Sequence, residues 1–171
     1  MLMQTTIPKF FVEELSLSYT KIFTAIALCK GVGFAFATKF WISRFSQRSI
    51  FPFCSEVAFI AALFPLCLLC GCFSLSFVFV AYLLYGMMQA GSELGFHLSG
   101  VHFSRGGDSS LYSSVNVLCV GIRGMVVPML GTFLYWMTGS FATLCIASFV
   151  CLSASFVFGR GPKEEFAASP S

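Results

Sequence analysis

Residues 50–70 read IFPFCSEVAFIAALFPLCLLC, an apolar run carrying a single charge, Glu56. The hydrocarbon core of a bilayer takes about 20 helical residues, and this run has that length. Its residues do not alternate between apolar and polar, as the strands of a membrane barrel do. A helix satisfies its own backbone hydrogen bonds within the segment, so this run predicts a membrane-spanning helix. Four further runs outward from it read the same way: Ser18–Phe40, Phe73–Phe96, Leu111–Trp136 and Phe141–Gly159. The expected fold class is an all-α integral membrane protein with about five transmembrane helices. Residues 1–17 then form the outer stub of a preceding helix, 18–159 the transmembrane domain and 160–171 a cytoplasmic tail.

Composition supports this reading. Hydrophobic residues make up 57% of the chain and charged ones 10%, and the mean hydropathy is +0.88. A soluble domain carries about 25% charged residues, so the polar surface that water requires is missing. The net charge of +3 is small and the charges gather between the apolar runs, a pattern of membrane topology rather than nucleic-acid binding. The opening Met1–Gln4 lacks a basic residue ahead of an apolar run, so a cleaved signal peptide is not expected. All eight cysteines lie in apolar stretches, where a thiol behaves as a small hydrophobe. Cys67, Cys70 and Cys72 include a CxxC spacing, but the flanks are Leu and Phe and no His or acid lies close by. No metal or cofactor is expected, and no nucleophile, base or phosphate loop marks an enzyme.

Basic residues set the expected orientation. Lys39, Arg44 and Arg48 surround the first connection, Arg105 lies in the third, and Arg160 and Lys163 are in the tail; the second and fourth connections are uncharged. Lys and Arg accumulate on the cytoplasmic side, which places the C-terminus in the cytoplasm of a multi-pass protein of the inner (plasma) membrane.

Charges inside the runs are the candidate functional residues, because each costs about 2.5–3.5 kcal/mol on insertion scales. Lys30 and Arg123 fall near the middle of their helices, and Glu56 sits about 6 Å from its helix centre. One reading pairs Glu56 with Lys30 as a structural ion pair. The other makes Lys30 or Arg123 the cation of a mid-membrane cavity. Arg123 has no acid at its depth, and a guanidinium offers a fork of donors suited to carboxylate or phosphate. Gln89 and Asn116 could add polar lining, as could Tyr82 and Tyr85, or each could serve helix packing. Around Arg123 the chain reads Gly121-Ile-Arg-Gly124-Met-Val-Val-Pro128-Met-Leu-Gly131, a density of Gly and Pro that implies a kink.

The helix order and the stretch Lys39-Phe-Trp-Ile-Ser43-Arg44-Phe-Ser46-Gln47-Arg48 resemble the C-terminal half of a major facilitator superfamily transporter, helices eight to twelve. The family's loop motif is Gly-x-x-x-Asp-Arg-x-Gly-Arg-Arg, of which Arg44 and Arg48 match. The glycine- and proline-rich run resembles the family's eleventh helix. The resemblance implies a partial six-helix bundle, two halves rocking around a midplane site, and Lys30 and Arg123 flanking the cavity. The chain is then a truncated or split member, with a separate chain supplying the N-terminal half. The functional expectation is transport of a small solute, an organic anion by the sign of the site, within the lipid bilayer. The alternative is a small non-transporting membrane subunit whose charges are all structural.

Overall fold

A computed structural model describes residues 6–14, 18–47, 50–104 and 109–161, and all the regular structure among them is helical. The chain forms α1 (Thr6–Lys9) with a π turn over Phe10–Glu14, then α2 (Tyr19–Thr24), a π turn over Ala25–Cys29 and α3 (Lys30–Gln47). There follow α4 (Ile50–Cys70), α5 (Leu75–Ser104) and α6 (Ser109–Gly159). Four helical stretches are long and apolar enough to cross a membrane: Thr20–Ser46, Ile50–Cys70, Leu75–His97 and Tyr112–Gly159.

The fourth stretch is about twice the length a bilayer takes, and Gly139 divides it. With φ +80° and ψ 178°, Gly139 leaves helical geometry at a backbone angle that side chains disfavour. The contacts on either side show that the two parts run in opposite directions. Asn116 bonds to Phe96 near the far end of α5, whereas Leu144 packs with Phe64 and Leu68 at the end of α4 that leads into α5. Ser155 then meets Ser55 near the start of α4. The first part, up to Thr138, therefore travels away from the Phe96 end, and the part beyond Gly139 returns beside α4. We call the end with Ile50, Phe96 and Gly159 the basic end, and the end with Gly71 and Gly139 the hairpin end.

Several connections differ from the sequence reading. The segment Trp41–Gln47, expected as a loop, continues α3, and α5 runs on to Ser104 through His97 and His102. Arg44 thus belongs to a helix. Arg48 and Arg105 lie outside the described residues. The stub ahead of residue 18 is helical over Thr6–Glu14, and its Phe10 and Phe11 are fully buried. Phe10 stands edge-on to Phe141 at 5.7 Å, and Phe11 lies 6.0 Å from Tyr82.

Two clusters form the interior. The hairpin-end cluster gathers Phe10, Phe11, Phe64, Leu68, Tyr82 and Leu144. The basic-end cluster gathers Ala37, Trp41, Phe53 and Ala90. Between them α3 and α5 cross in backbone contact: a Cβ on Gly33 would strike the Leu83 carbonyl, and one on Gly86 the Lys30 carbonyl. Without a hydrophobic drive inside lipid, such close approach supplies the van der Waals gain that holds helices together. Trp41 fixes the same pair further along, donating from Nε1 to the Met87 carbonyl at 2.8 Å, and Gly91 leaves room for its ring.

Gly33→Ala and Gly86→Ala should each cost about 1–3 kcal/mol in micelle unfolding experiments, since the added methyl meets backbone. Gly121→Ala, where nothing lies within 4 Å of the new methyl, should be neutral or stabilise by up to about 1 kcal/mol through helix propensity. Equal effects at all three positions would contradict the crossing.

Candidate functional site: a polar layer between two helices

Helix periodicity locates the candidate residues on α5 and α6. Asn116 donates from Nδ2 to the Phe96 carbonyl at 3.1 Å, which fixes the register of two antiparallel helices. Seven residues are almost two full turns, so a residue seven away lies on the same face about 10 Å along the axis. Seven residues back from Phe96 is Gln89, and seven on from Asn116 is Arg123. Gln89 and Arg123 therefore sit at one depth on facing sides of the interface.

They do not close on one another. Gln89 Oε1 is buried and has no hydrogen-bond partner. Arg123 is exposed, although Asn116, Val120 and Val127 on the same stripe are half-buried. The whole run 121–126 is exposed, whereas Val127 and Pro128 are half-buried and Gly131 is buried. The first part of α6 thus touches its neighbours at both ends and stands off in the middle. Pro128 follows this run. It lies inside the helix with no N–H for the Gly124 carbonyl, so the helix loses a backbone hydrogen bond beside the exposed run. Gly124 likewise has nothing within 4 Å of a would-be Cβ.

Lys30 enters the layer from α3. Its ammonium lies 5.1 Å from the centre of the Tyr85 ring, and Tyr85 is one turn from Gln89 on the same face of α5. The π turn over Ala25–Cys29 ends immediately before Lys30, and such turns re-aim the residues that follow them. Among the described residues neither Lys30 nor Arg123 has a carboxylate partner.

The Glu56–Lys30 pair of the sequence reading is not formed. Glu56 Oε1 accepts from Arg44 Nη1 at 3.0 Å instead. The reason is register: α3 and α4 meet at residues 48–49, and Arg44 and Glu56 stand at similar distances from that connection. Lys30 stands some 18 residues before it, about 27 Å along the axis. The pair is roughly one-third exposed on each side, 36% for Arg44 and 30% for Glu56, so solvent or lipid headgroups screen it. Beside it a groove of about 340 Å³ runs between Phe40, Trp41, Phe59 and Ser155. Glu93 is exposed near the basic end, 3.7 Å from His97.

The reading of the sequence passed over one polar contact. Ser55 donates to the Ser155 carbonyl at 2.7 Å and Ser155 donates to the Ser55 carbonyl at 2.9 Å, a reciprocal clasp between α4 and the last part of α6. Isolated serines in apolar helices are its only sequence signal. The cysteines are unpaired, and no cluster among the described residues could hold a metal ion.

Comparison with protein-family models, with curated proteins and with solved structures finds no match for this chain.

A double-mutant cycle between Arg44→Gln and Glu56→Gln should give a coupling of about 0.5–3 kcal/mol in micelle unfolding. The same cycle between Lys30→Met and Glu56→Gln should give none. Coupling in the second cycle and not the first would restore the pairing that the register excludes.

Proposed function

We propose that the chain is a multi-pass membrane protein with five crossings that works as one half of a secondary transporter of the major-facilitator type and carries a small organic anion. The observation that carries this reading is the layer at mid-span, where among the described residues neither Lys30 nor Arg123 has a carboxylate partner and the buried Gln89 Oε1 has no hydrogen-bond partner. Unpaired ionisable groups at that depth are costly and characteristically mark a solute path. Gln89, Arg123 and Lys30 line it, Asn116 anchors the helix that bears Arg123, and Tyr85 supports Lys30. Carboxylate or phosphate would satisfy both cations, and among the described residues neither has an acid to compete for it.

The helix layout supports the transporter half. An antiparallel up-and-down series with a stub built into its core, tight reversals at Gly71–Ser74 and Gly139, and a proline-bearing helix beside the site resembles the second half of that superfamily. In this reading the end that bears Lys39, Arg44 and Arg160 faces the cytoplasm, where Lys and Arg accumulate, and the C-terminus lies on that side. A separate chain completes the path across the open middle of α6.

The second reading, a non-transporting subunit, draws on the Arg44–Glu56 pair and the Lys30–Tyr85 contact, which account for those charges structurally. It leaves Arg123 unexplained.

Membrane vesicles from the native cells separate the two. Uptake of labelled organic anions should fall at least about tenfold in an Arg123→Ala strain, approaching the deletion strain, as expected for losing one hydrogen-bonded charge contact. Equal uptake by wild type, variant and deletion across a panel of carboxylates and phosphate esters would overturn transport. Uptake lost on deletion but kept in Arg123→Ala would remove Arg123 from the site.

A further inference from the structure

Two grooves on the outer surface meet at one aromatic ring. The first, about 340 Å³, lies between α3 and α5 and is lined by Val32, Phe36, Phe40, Leu83 and Met87. The second, also about 340 Å³, is the one beside the Arg44–Glu56 pair. Phe40, Phe59 and Ile60 line its apolar part, and Ser55, Glu56 and Ser155 its polar part. Phe40 is the wall they share: α5 closes the first groove, and α4 with the end of α6 closes the second. Phe36, Phe40 and Phe59 are exposed, so both grooves open outward from the helices.

The grooves run in the same direction. On α3, Val32, Phe36, Phe40 and Arg44 recur every four residues along one side of the helix. Arg44 stands at the basic end, one turn beyond Phe40, with its guanidinium 5.2 Å from the centre of that ring. Val32 lies about 18 Å from Arg44 toward mid-span by helical rise. The same order holds on α4. Glu56, bonded to Arg44 at 3.0 Å, is nearer the basic end, and Phe59 and Ile60 lie about a turn deeper. Each groove therefore begins beside a charged group near one end of the spans and continues between apolar side chains toward the middle. A bilayer lipid is ordered in the same way, polar at the interface and apolar inward.

Arg44 supplies the polar contact. A guanidinium has five N–H donors, and among the described residues Glu56 takes one, through Nη1. The pair is partly exposed, so the remaining donors can reach a phosphate, whose negative charge and oxygen spacing the fork matches. Phe40 decides the shape of the occupant. A neighbouring helix, about 10–12 Å across, lies over a ring as a single rod. Two slender chains joined at one end pass on either side of it.

We propose that this surface binds a diacyl phospholipid of the surrounding bilayer, its phosphate on Arg44 and one acyl chain in each groove, with Phe40 between the chains. The site depends on the membrane-spanning reading of the helices and is independent of the anion path. Inside lipid no hydrophobic gain favours a groove over the bulk, so the preference comes from van der Waals contact with fixed side chains and from the phosphate hydrogen bonds.

Native mass spectrometry of the full chain, released from detergent micelles, counts the lipid that stays bound. The probes are dioleoyl phosphatidylcholine, which has no net charge and is not drawn to basic residues in general; its single-chain lyso form; and dioleoylglycerol, which keeps both chains and lacks the phosphate. Phosphatidylcholine should bind about tenfold or more tightly than dioleoylglycerol, the size of one charged hydrogen-bond contact. It should bind about threefold or more tightly than the lyso form, whose one chain leaves a groove without fixed contacts. Arg44→Gln should bring phosphatidylcholine down to the level of dioleoylglycerol and leave dioleoylglycerol unchanged. Arg44→Lys keeps the charge, loses the fork and guards against a variant that fails to fold; its phosphatidylcholine binding should fall between the two. Val32→Trp fills the first groove from an exposed position and should bring phosphatidylcholine to the lyso level with little change in lyso binding. Equal binding of phosphatidylcholine and dioleoylglycerol overturns the phosphate contact, and equal binding of the diacyl and lyso forms overturns the paired grooves. Undiminished phosphatidylcholine binding in both Arg44→Gln and Val32→Trp overturns the location. No lipid retained, from a chain that stays in the membrane pellet after an alkaline carbonate wash, overturns the site; release of the chain by that wash overturns the membrane-spanning reading instead.

Discussion

The crossing of α3 and α5 at Gly33 and Gly86 is the contact on which the layout depends. It brings two backbones together at mid-span and sets two parallel helices in register. The Trp41 bond to the Met87 carbonyl holds the same register about two turns on. Because α4 connects these helices, it must run antiparallel to both. That direction carries Glu56 to Arg44 rather than to Lys30. It also carries Phe64 to Tyr82, where the aromatic cluster closes the hairpin end. A methyl group at either glycine would force the helices apart, and the Lys30 side chain would lose its position over Tyr85. Close packing and the placement of a mid-membrane cation are thus one feature.

Much of the fold was legible because its signals are local. Apolar length identified the helices long enough to span, and the Gly and Pro spacing around Arg123 falls inside the continuous helix of α6. The helix ends were less legible. Nothing in Trp41–Gln47 distinguishes a polar loop from the wet last turns of a helix, because Lys and Arg are good helix formers. The division at Gly139 could be read from the polar Met137–Ser140 link, although the helical hydrogen bonding runs on almost unbroken around it. The count of crossings therefore turns on one residue's backbone angles.

The candidate polar residues could be picked out one helix at a time, whereas their pairing could not. Depth counting along single helices selected Lys30 and Arg123. Depth alone also offered Glu56 to Lys30, and it failed there because it took depth from span midpoints and not from the connection that joins the two helices. Gln89 and Asn116 were picked as polar residues in apolar helices. What placed them with Arg123 was a long-range fact, the Asn116–Phe96 bond, which no local pattern encodes. The Ser55–Ser155 clasp escaped for the same reason: a hundred residues separate its partners, and serine inside a membrane helix more often bonds back to its own turn, as Thr132 and Ser153 do here.

The two irregularities of α6 act on opposite sides of the same balance. Gly139 lets the chain reverse so tightly that Thr138 and Thr143 come within 3.4 Å, and the returning helix is drawn into the core through Leu144, Ala147 and Ser148. A few turns earlier the outgoing helix is exposed over residues 121–126, ahead of the half-buried Pro128. A straight helix tied at Asn116 and Gly131 would lie flat on α5 and press Arg123 against Gln89. The guanidinium would then satisfy the buried oxygen and the layer would be a closed structural bond. Arg123 is instead exposed. At that depth lipid offers no hydrogen bonds, and the buried Gln89 Oε1 has no hydrogen-bond partner among the described residues.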